Sequence, residues 1–323
     1  MPVRPCAREK VCNGRPPMSI ATDQHIPKIL IMKVAIYSRV IDYEQHDKLQ
    51  QLLDEFAKEN IEPVFYAPFF EIIKTSYRFP DKLSVFSDSR DLEESIDFLV
   101  SLGGDGTLLD TVSLVRDTNV PVLGINFGRL GFLASIGRKE LHMAVQAMVK
   151  RNIVIDKRTL VHLDASSALF GEVPYGLNEF AIHKTDTSPM IKIHTYLNGE
   201  FLNTYWADGL IVATPTGSTG YSLSCNGPIV FPESSSFVIT LVAPGKLSVR
   251  PIVVPDDNVI SFEVEGRSDQ FICALDSRRE LVDKKTQLAV RRESFTLSLV
   301  RLNENNFLQT LRNKLSWGLD TRN

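Results

Sequence analysis

An apolar run, Ile96-Asp-Phe-Leu-Val-Ser-Leu102, stops abruptly at Gly103-Gly104, and a helical pattern follows from Leu108 to Arg116. A strand-sized run, a glycine pair and a helix make one βα unit, and such units build parallel sheets through helical crossovers. The neighbouring segments repeat the pattern. Val34–Tyr37 reads as a buried strand, and Asp42–Asn60 as a helix with Leu49, Leu52, Leu53 and Phe56 on one face. Glu62–Tyr66, Ser84–Phe86 and Val120–Ile125 read as further strands, with helical turns at Phe69–Tyr77 and a helix at Glu140–Arg151.

After Arg151 the character changes to short β segments divided by turn residues. These are Lys157–Val161, Glu179–His183, Met190–Leu197, Gly209–Thr214, Phe237–Leu241, Val259–Val264, Phe271–Leu275, Gln287–Val290 and Phe295–Val300. Asn198-Gly199 between alternating runs is a hairpin turn signal. The fold class expected is α/β plus all-β. An N-terminal α/β domain with a parallel sheet spans 32–152 and an antiparallel β-rich domain spans 153–302. A C-terminal helical segment, 303–323 with its helix at Phe307–Leu315, joins the first domain. Residues 1–31 carry no apolar core after their basic residues and are expected to be a disordered extension or an over-long start, with Met18 and Met32 as alternative starts.

With 323 residues, 43% of them hydrophobic, the chain has material for two cores. A net charge of -3 gives no global basic field for nucleic acid, and no apolar run approaches the ~20 residues that span a bilayer. Cys6, Cys12, Cys225 and Cys273 show no metal or CxxC spacing and read as free thiols in a reducing cytoplasm. The six histidines show no metal-ligand spacing either. Arg278-Arg279 and Arg291-Arg292 read as solvated turns, and Trp317 as a buried anchor of the tail.

Gly103-Gly104-Asp105-Gly106-Thr107 lies where ligands bind in open α/β sheets, at the carboxyl end of a strand. Glycines let backbone amides approach a phosphate, and the helix that follows adds partial positive charge. A carboxylate in such a cradle repels the ligand unless it has a task. Asp105 suits two: accepting a proton from an attacking hydroxyl, or holding a divalent metal that bridges phosphates; capping the helix is the plain structural alternative. No GxxxxGK(S/T) or GxGxxG pattern is present. Asn178-Glu179, before an apolar strand, suits a vicinal diol. The run from Asp208 to Ser224 holds a strand, a Thr-Pro-Thr-Gly turn and hydroxyls at Ser218, Thr219, Tyr221, Ser222 and Ser224, which suit a polar ligand.

The GGDGT loop alone resembles the signature shared by NAD kinases and by diacylglycerol- and sphingosine-type lipid kinases. The ordered set resembles the NAD kinase family: GGDGT at 103–107, Gly128–Leu133, Asn178-Glu179, the run Asp208–Ser224, and Leu247–Val254. That resemblance spans residues 33–315. It implies a two-domain NAD kinase that phosphorylates the 2′-hydroxyl of the adenosine ribose, with NAD in the interdomain cleft. It also implies ATP or another phosphoryl donor, a divalent metal such as magnesium without dedicated protein spacing, and homo-oligomers, dimer or tetramer. Asp105 is implied to be the proton acceptor. Asp105, Gly106, Asn178, Glu179, Asp208, Thr219, Gly220, Tyr221, Ser222, Leu223 and Ser224 are implied to bind NAD, with Gly103, Gly104, Gly106 and Thr107 forming the phosphate loop and Arg129 a candidate helper. The sequence departs from the family at Gly220, where alanine is usual, and at Cys225-Asn226-Gly227-Pro228, where the family has Gly-Gly-Pro. It departs also at Gly245, where a histidine is usual, and at Ser277, where the family has glycine after the aspartate. A lipid-type kinase and a non-catalytic dinucleotide sensor are the competing readings.

Overall fold

The computed structural model describes residues 31–39, 46–80, 83–92, 96–128, 131–185, 189–246, 248–302 and 307–315. The elements of the first half are β1 (Lys33–Tyr37), α1 (His46–Lys58), β2 (Glu62–Tyr66), α2 (Ala67–Ile73), β3 (Ser84–Phe86), β4 (Phe98–Leu102), α3 (Asp105–Val115), β5 (Val122–Ile125) and α4 (Leu141–Val149). The strands pair in parallel in the order β3-β2-β1-β4-β5. Continuous apolar runs form here because both sheet faces are covered. Val34, Ile36, Val100 and Leu123 pack under Leu49, Leu52 and Phe56 of α1 and Val145 and Met148 of α4. Ala35, Leu99 and Val122 point the other way, onto Leu108, Val112 and Val115 of α3. The chain winds outward from β1 in one direction and from β4 in the other, so the switch of direction falls between β1 and β4. A crevice opens at such a point, outside the carboxyl ends of the strands.

The second half adds β6 (Val154–Ala165), β7 (Tyr175–Gly176), β8 (Glu179–His183), β9 (Ile191–Leu197), β10 (Glu200–Ala207), β11 (Gly209–Ala213), α5 (Tyr221–Ser224) and β12 (Ser236–Val242). It ends with β13 (Ile252–Pro255), β14 (Ile260–Glu265), β15 (Gln270–Leu275), β16 (Arg278–Asp283), β17 (Leu288–Arg301) and α6 (Phe307–Leu315). The expected combination of a parallel α/β sheet and antiparallel β structure is what forms. Six strands make an antiparallel sheet in the order β13-β12-β11-β8-β15-β16. Its inner face, with Phe180, Ile182, Leu210, Val212, Phe237 and Phe271, packs on Val161, Ile193, Ile260 and Phe262 of the larger sheet. Its outer face is small-featured: Ala181, Ile211, Ala213, Val238 and Ala274 leave room for a segment to lie flat across it.

The two windows 287–290 and 295–300 are one 14-residue strand, β17, whose ladder with β6 is interrupted between Arg292 and Thr296. Through Leu299 opposite Val122, β17 also pairs in parallel with β5, so one sheet runs through both halves. The arginine pairs read as solvated turns lie on strands instead. Arg278 on β16 donates to the carbonyls of Val173 and Tyr175, Arg291 pairs with Asp164 at 2.8 Å, and Arg292 pairs with Asp256 at 3.0 Å. Cys6, Cys12, Arg129 and Trp317 lie outside the described residues.

Leu108 is fully buried where α3 meets the sheet. Leu108→Ala is expected to destabilise the chain by about 2–5 kcal/mol, the range for emptying a buried leucine site. A urea titration would show this as a lower midpoint at unchanged slope.

Candidate functional site

Gly103 has φ +152°, and a Cβ there would lie 2.4 Å from Thr107 Oγ1, so only glycine allows the chain to turn from β4 into α3. Gly104 is the N-cap of α3 and offers no side-chain cap. Gly106 is exposed, and a Cβ built on it meets no atom within 4 Å. The first residues of this helix are thus uncrowded on the side of Gly106, and a helix start is where backbone amides bind anions.

Asp105, the first residue of α3, does not cap its own helix. Its carboxylate accepts three consecutive backbone N–H groups of the loop after β5: Phe132 at 2.8 Å on Oδ2, and Leu133 and Ala134 at 3.0 and 2.9 Å on Oδ1. Gly131 passes so close that a Cβ would fall 1.8 Å from Oδ1. A carboxylate has about four lone-pair sites. Three are used, and the one left is on Oδ2. The other side of this loop, Phe132 and Leu133, walls a cavity of about 350 Å³ that Arg158, Phe231 and Phe307 also line.

Asp276 repeats this arrangement in the second half. It accepts from Leu177 N at 2.8 Å, Asn178 N at 2.8 Å and Glu179 N at 3.1 Å. Asn178 and Glu179 are thereby fixed at the start of β8. The Thr214–Gly220 turn closes on them. Thr214 N donates to Asn178 O at 2.9 Å, and a Cβ on Gly217 would lie 2.0 Å from that same oxygen. A Cβ on Gly220 would lie 3.3 Å from Glu179 Oε2 and 3.5 Å from Asn178 Nδ2, so the glycine at this departure from the family leaves the gap before both side chains open.

Glu179 is 9% exposed and its Oε2 has no hydrogen-bond partner. Burial, helped by the charge of Asp276, pushes its pKa up to about 8. Burial pushes Asp276 up too, against three amide donors and Arg278, which favour its ionised form. Of the two, Glu179 lacks such donors and is the one that keeps a proton. It therefore offers both a donor and an acceptor at neutral pH, rather than the acceptor alone that the sequence suggested.

β8 and β11 run antiparallel with Glu179 opposite Ala213 and His183 opposite Gly209. Four residues separate the ends, roughly 14 Å at the usual rise of a strand. At the far end Asp208 pairs with Lys184 at 2.9 Å. Tyr221 lies between, its ring stacked on His183 at 5.6 Å, and both Glu179 and Asp208 act on its hydroxyl. Thr219, Gly220, Tyr221, Leu223 and Ser224 belong to the segment that follows the Thr214–Gly217 turn and carries this ring. Ser222 turns inward: the side chain is fully buried and its Oγ meets Thr240 Oγ1 at 3.0 Å. Ser218 also turns inward, donating to Pro215 O and accepting from Val230 N. Sequence reading missed His183, which stacks on Tyr221 and is held below the usual histidine pKa range by burial and Arg279. Its position four residues after Glu179 on one strand is the signal that could have found it. Gly245 donates to Trp206 O at 2.8 Å, and a Cβ there would press on Met190 Sδ at 3.1 Å, so a histidine would displace Met190.

Leu177, beside Asn178, shares one buried cluster with Leu108 of α3 and with Leu133 of the clamped loop. α3, the clamped loop and the start of β8 thus share one core. A glycine-rich helix start with a carboxylate fixed beside it is what a phosphotransferase of nucleotide-like substrates would use. Residues 29–153 match the ATP-NAD kinase N-terminal domain and residues 177–302 the ATP-NAD kinase C-terminal domain. The NAD kinase of Cytophaga hutchinsonii is 44% identical over 293 residues, covering 90% of this chain and 100% of that one. The NAD kinase of Bacteroides fragilis is 38% identical over 291 residues, with 90% and 100% covered. Yeast NADH kinase, solved with NADH, superposes with a TM-score of 0.81 at 22% identity over 91% of this chain and 90% of that one, and so shares the fold. An Archaeoglobus fulgidus NAD kinase solved with ATP gives 0.64 at 23%, over 88% and 99%. The chain belongs to the ATP-NAD kinase family.

A raised carboxyl pKa costs stability as pH rises. The folded chain keeps the Glu179 proton up to about 8, whereas an unfolded glutamate loses it near 4.5. Stability from this site is therefore lost between those values. Glu179→Gln is expected to raise the melting temperature at pH 8 and leave it nearly unchanged at pH 4.5; an equal rise at both would show that ionisation is not the cause.

Proposed function

We propose that this chain transfers the γ-phosphoryl group of ATP to the 2′-hydroxyl of the adenosine ribose of NAD, giving NADP. The observation that carries this reading is the Asp105 carboxylate, held at the glycine-rich helix start by three amides with one oxygen still able to accept. NAD lies along β8 and β11. Asn178 and the protonated Glu179 bind ribose hydroxyls, and Thr219 to Ser224, apart from Ser222, line the bases. Asp208 with Lys184 closes the far end.

Phosphoryl transfer is chiefly a matter of positioning and charge neutralisation. Three amides fix Asp105 so that its free Oδ2 lone pair meets the attacking hydroxyl and takes its proton as the new O–P bond forms and the bond from the γ-phosphorus to the bridging oxygen breaks, releasing ADP. The amides of Gly104 and Gly106 receive the donor phosphates. Among the described residues no cluster of three or more His, Cys, Asp or Glu forms a metal cage. With MgATP as the donor, the ion would supply charge neutralisation on the phosphates. The polar side chains along this path favour a dinucleotide over the acyl chain of a lipid-kinase substrate, and the accessible Oδ2 favours an enzyme over a sensor. A homo-oligomer and a cytoplasmic location belong to the same proposal; the free thiols of Cys225 and Cys273 support a reducing compartment.

Asp105→Asn is expected to lower NADP formation by ~100-fold or more, the scale of general-base loss, while NAD affinity measured by calorimetry stays within a few-fold. Near-parental turnover in this variant would remove Asp105 as the base. Chelation by EDTA is expected to abolish turnover in an NADP-formation assay, because the donor phosphates need a divalent ion to neutralise them.

A further inference from the structure

A second carboxylate on α3 faces away from Asp105. Asp110 comes five residues later, which at 3.6 residues per turn puts it on the opposite flank of the helix, toward β1. There it accepts the Tyr37 hydroxyl at 2.9 Å and both Nε and Nη2 of Arg39. Ser38 is buried and its Oγ donates to Leu102 O at 2.8 Å, so the residue before Arg39 is fastened to the residue before the glycine loop. The guanidinium is held two-pronged while the side chain stays 52% exposed. Nη1 takes no part in this two-pronged contact.

The charge balance of the crevice makes this cation stand out. The glycine loop supplies amides but no basic side chain. In the five residues that follow the carboxyl ends of β1, β2, β4 and β5, Arg39 is the one Lys or Arg among the described residues. Geometry gives it a side. The start of β8 and the loop clamped by Asp105 lie toward β5 and the second half, so the acceptor hydroxyl arrives from there. Displacement at phosphorus needs attacking and leaving oxygens roughly in line. The leaving oxygen, with the rest of the donor, must then lie across the glycine loop, toward β1.

We infer that Arg39, presented by Asp110, binds the polyphosphate of the donor through its free Nη1 edge. Asp110 is a positioning residue that acts through Arg39. A guanidinium pre-oriented by a carboxylate loses less freedom on binding phosphate than a free one, and its fork still has donors to offer. The inference rests on the reading that the donor sits at the glycine loop.

The test is steady-state kinetics of the full chain with MgATP and NAD varied separately. Arg39→Ala is expected to raise KM for ATP ~10-fold or more and leave KM for NAD within about twofold, as for one lost charge-assisted contact. Arg39→Lys should recover part of the loss, and Asp110→Asn should raise KM for ATP to a smaller degree than Arg39→Ala. Gly104→Ala, whose Cβ would come no nearer than 3.9 Å to Asn126 Nδ2, reports on the loop itself. If Gly104→Ala raises KM for ATP while Arg39→Ala does not, the inference fails and the loop placement stands. If neither changes it, the placement of the donor fails as well. A loss in Arg39→Ala that falls on NAD rather than ATP also overturns the inference.

Discussion

A carboxylate that accepts three consecutive backbone N–H groups fixes a loop as rigidly as a strand would, and the site is built on two of them. Asp105 fastens residues 132–134 and Asp276 fastens 177–179. Without either, three partly buried amides would lack partners, at about 1–3 kcal/mol apiece. The two clamps differ in their surroundings. The charge of Asp276 helps keep Glu179 protonated. Asp105 retains one accepting position, at the mouth of the phosphate cradle. Gly131 and Gly176 are where these carboxylates touch the chain, and a Cβ at either would collide with a carboxyl oxygen.

Around these clamps the electrostatics are divided along α3. One flank holds an acid tied to backbone amides, and the other an acid tied to a guanidinium, with the helix-start amides between them. Beyond, β8 holds a neutral carboxyl at one end and a Lys184–Asp208 pair at the other. Such an arrangement suits two polyanionic substrates meeting at one phosphorus: charge is neutralised where phosphates lie, and the sugar end is read by polar groups that carry little net charge.

The parts legible in the sequence were those with local signals. The glycine loop, the Thr-Pro-Thr-Gly turn and the buried strands carry their pattern within a few residues. The strands with no signal of their own, β7, β13 and β16, are sheet edges, and β10, also an edge, was signalled only by the Asn198-Gly199 turn. Val282 is the one buried residue of Arg278–Asp283, too few to give a period. Inward-facing Ser218 and Ser222 looked like ligand hydroxyls because hydroxyl content does not reveal direction. The amide partners of Asp105 lie 27 to 29 residues away and those of Asp276 nearly a hundred, so no window could show that either carboxylate was already engaged. Arg278 was read as a solvated turn for the same reason: the carbonyls it serves are more than a hundred residues upstream.

β17 is the last strand of the chain, yet it lies between β14 and β5, in the middle of the larger sheet. During synthesis the exposed edge of β5 must wait for some 160 further residues before its neighbour emerges. Until then the N-terminal sheet offers an unpaired parallel edge, the kind of surface that aggregates and that chaperones bind. A chain truncated before residue 288 would leave that parallel edge of β5 without its neighbour.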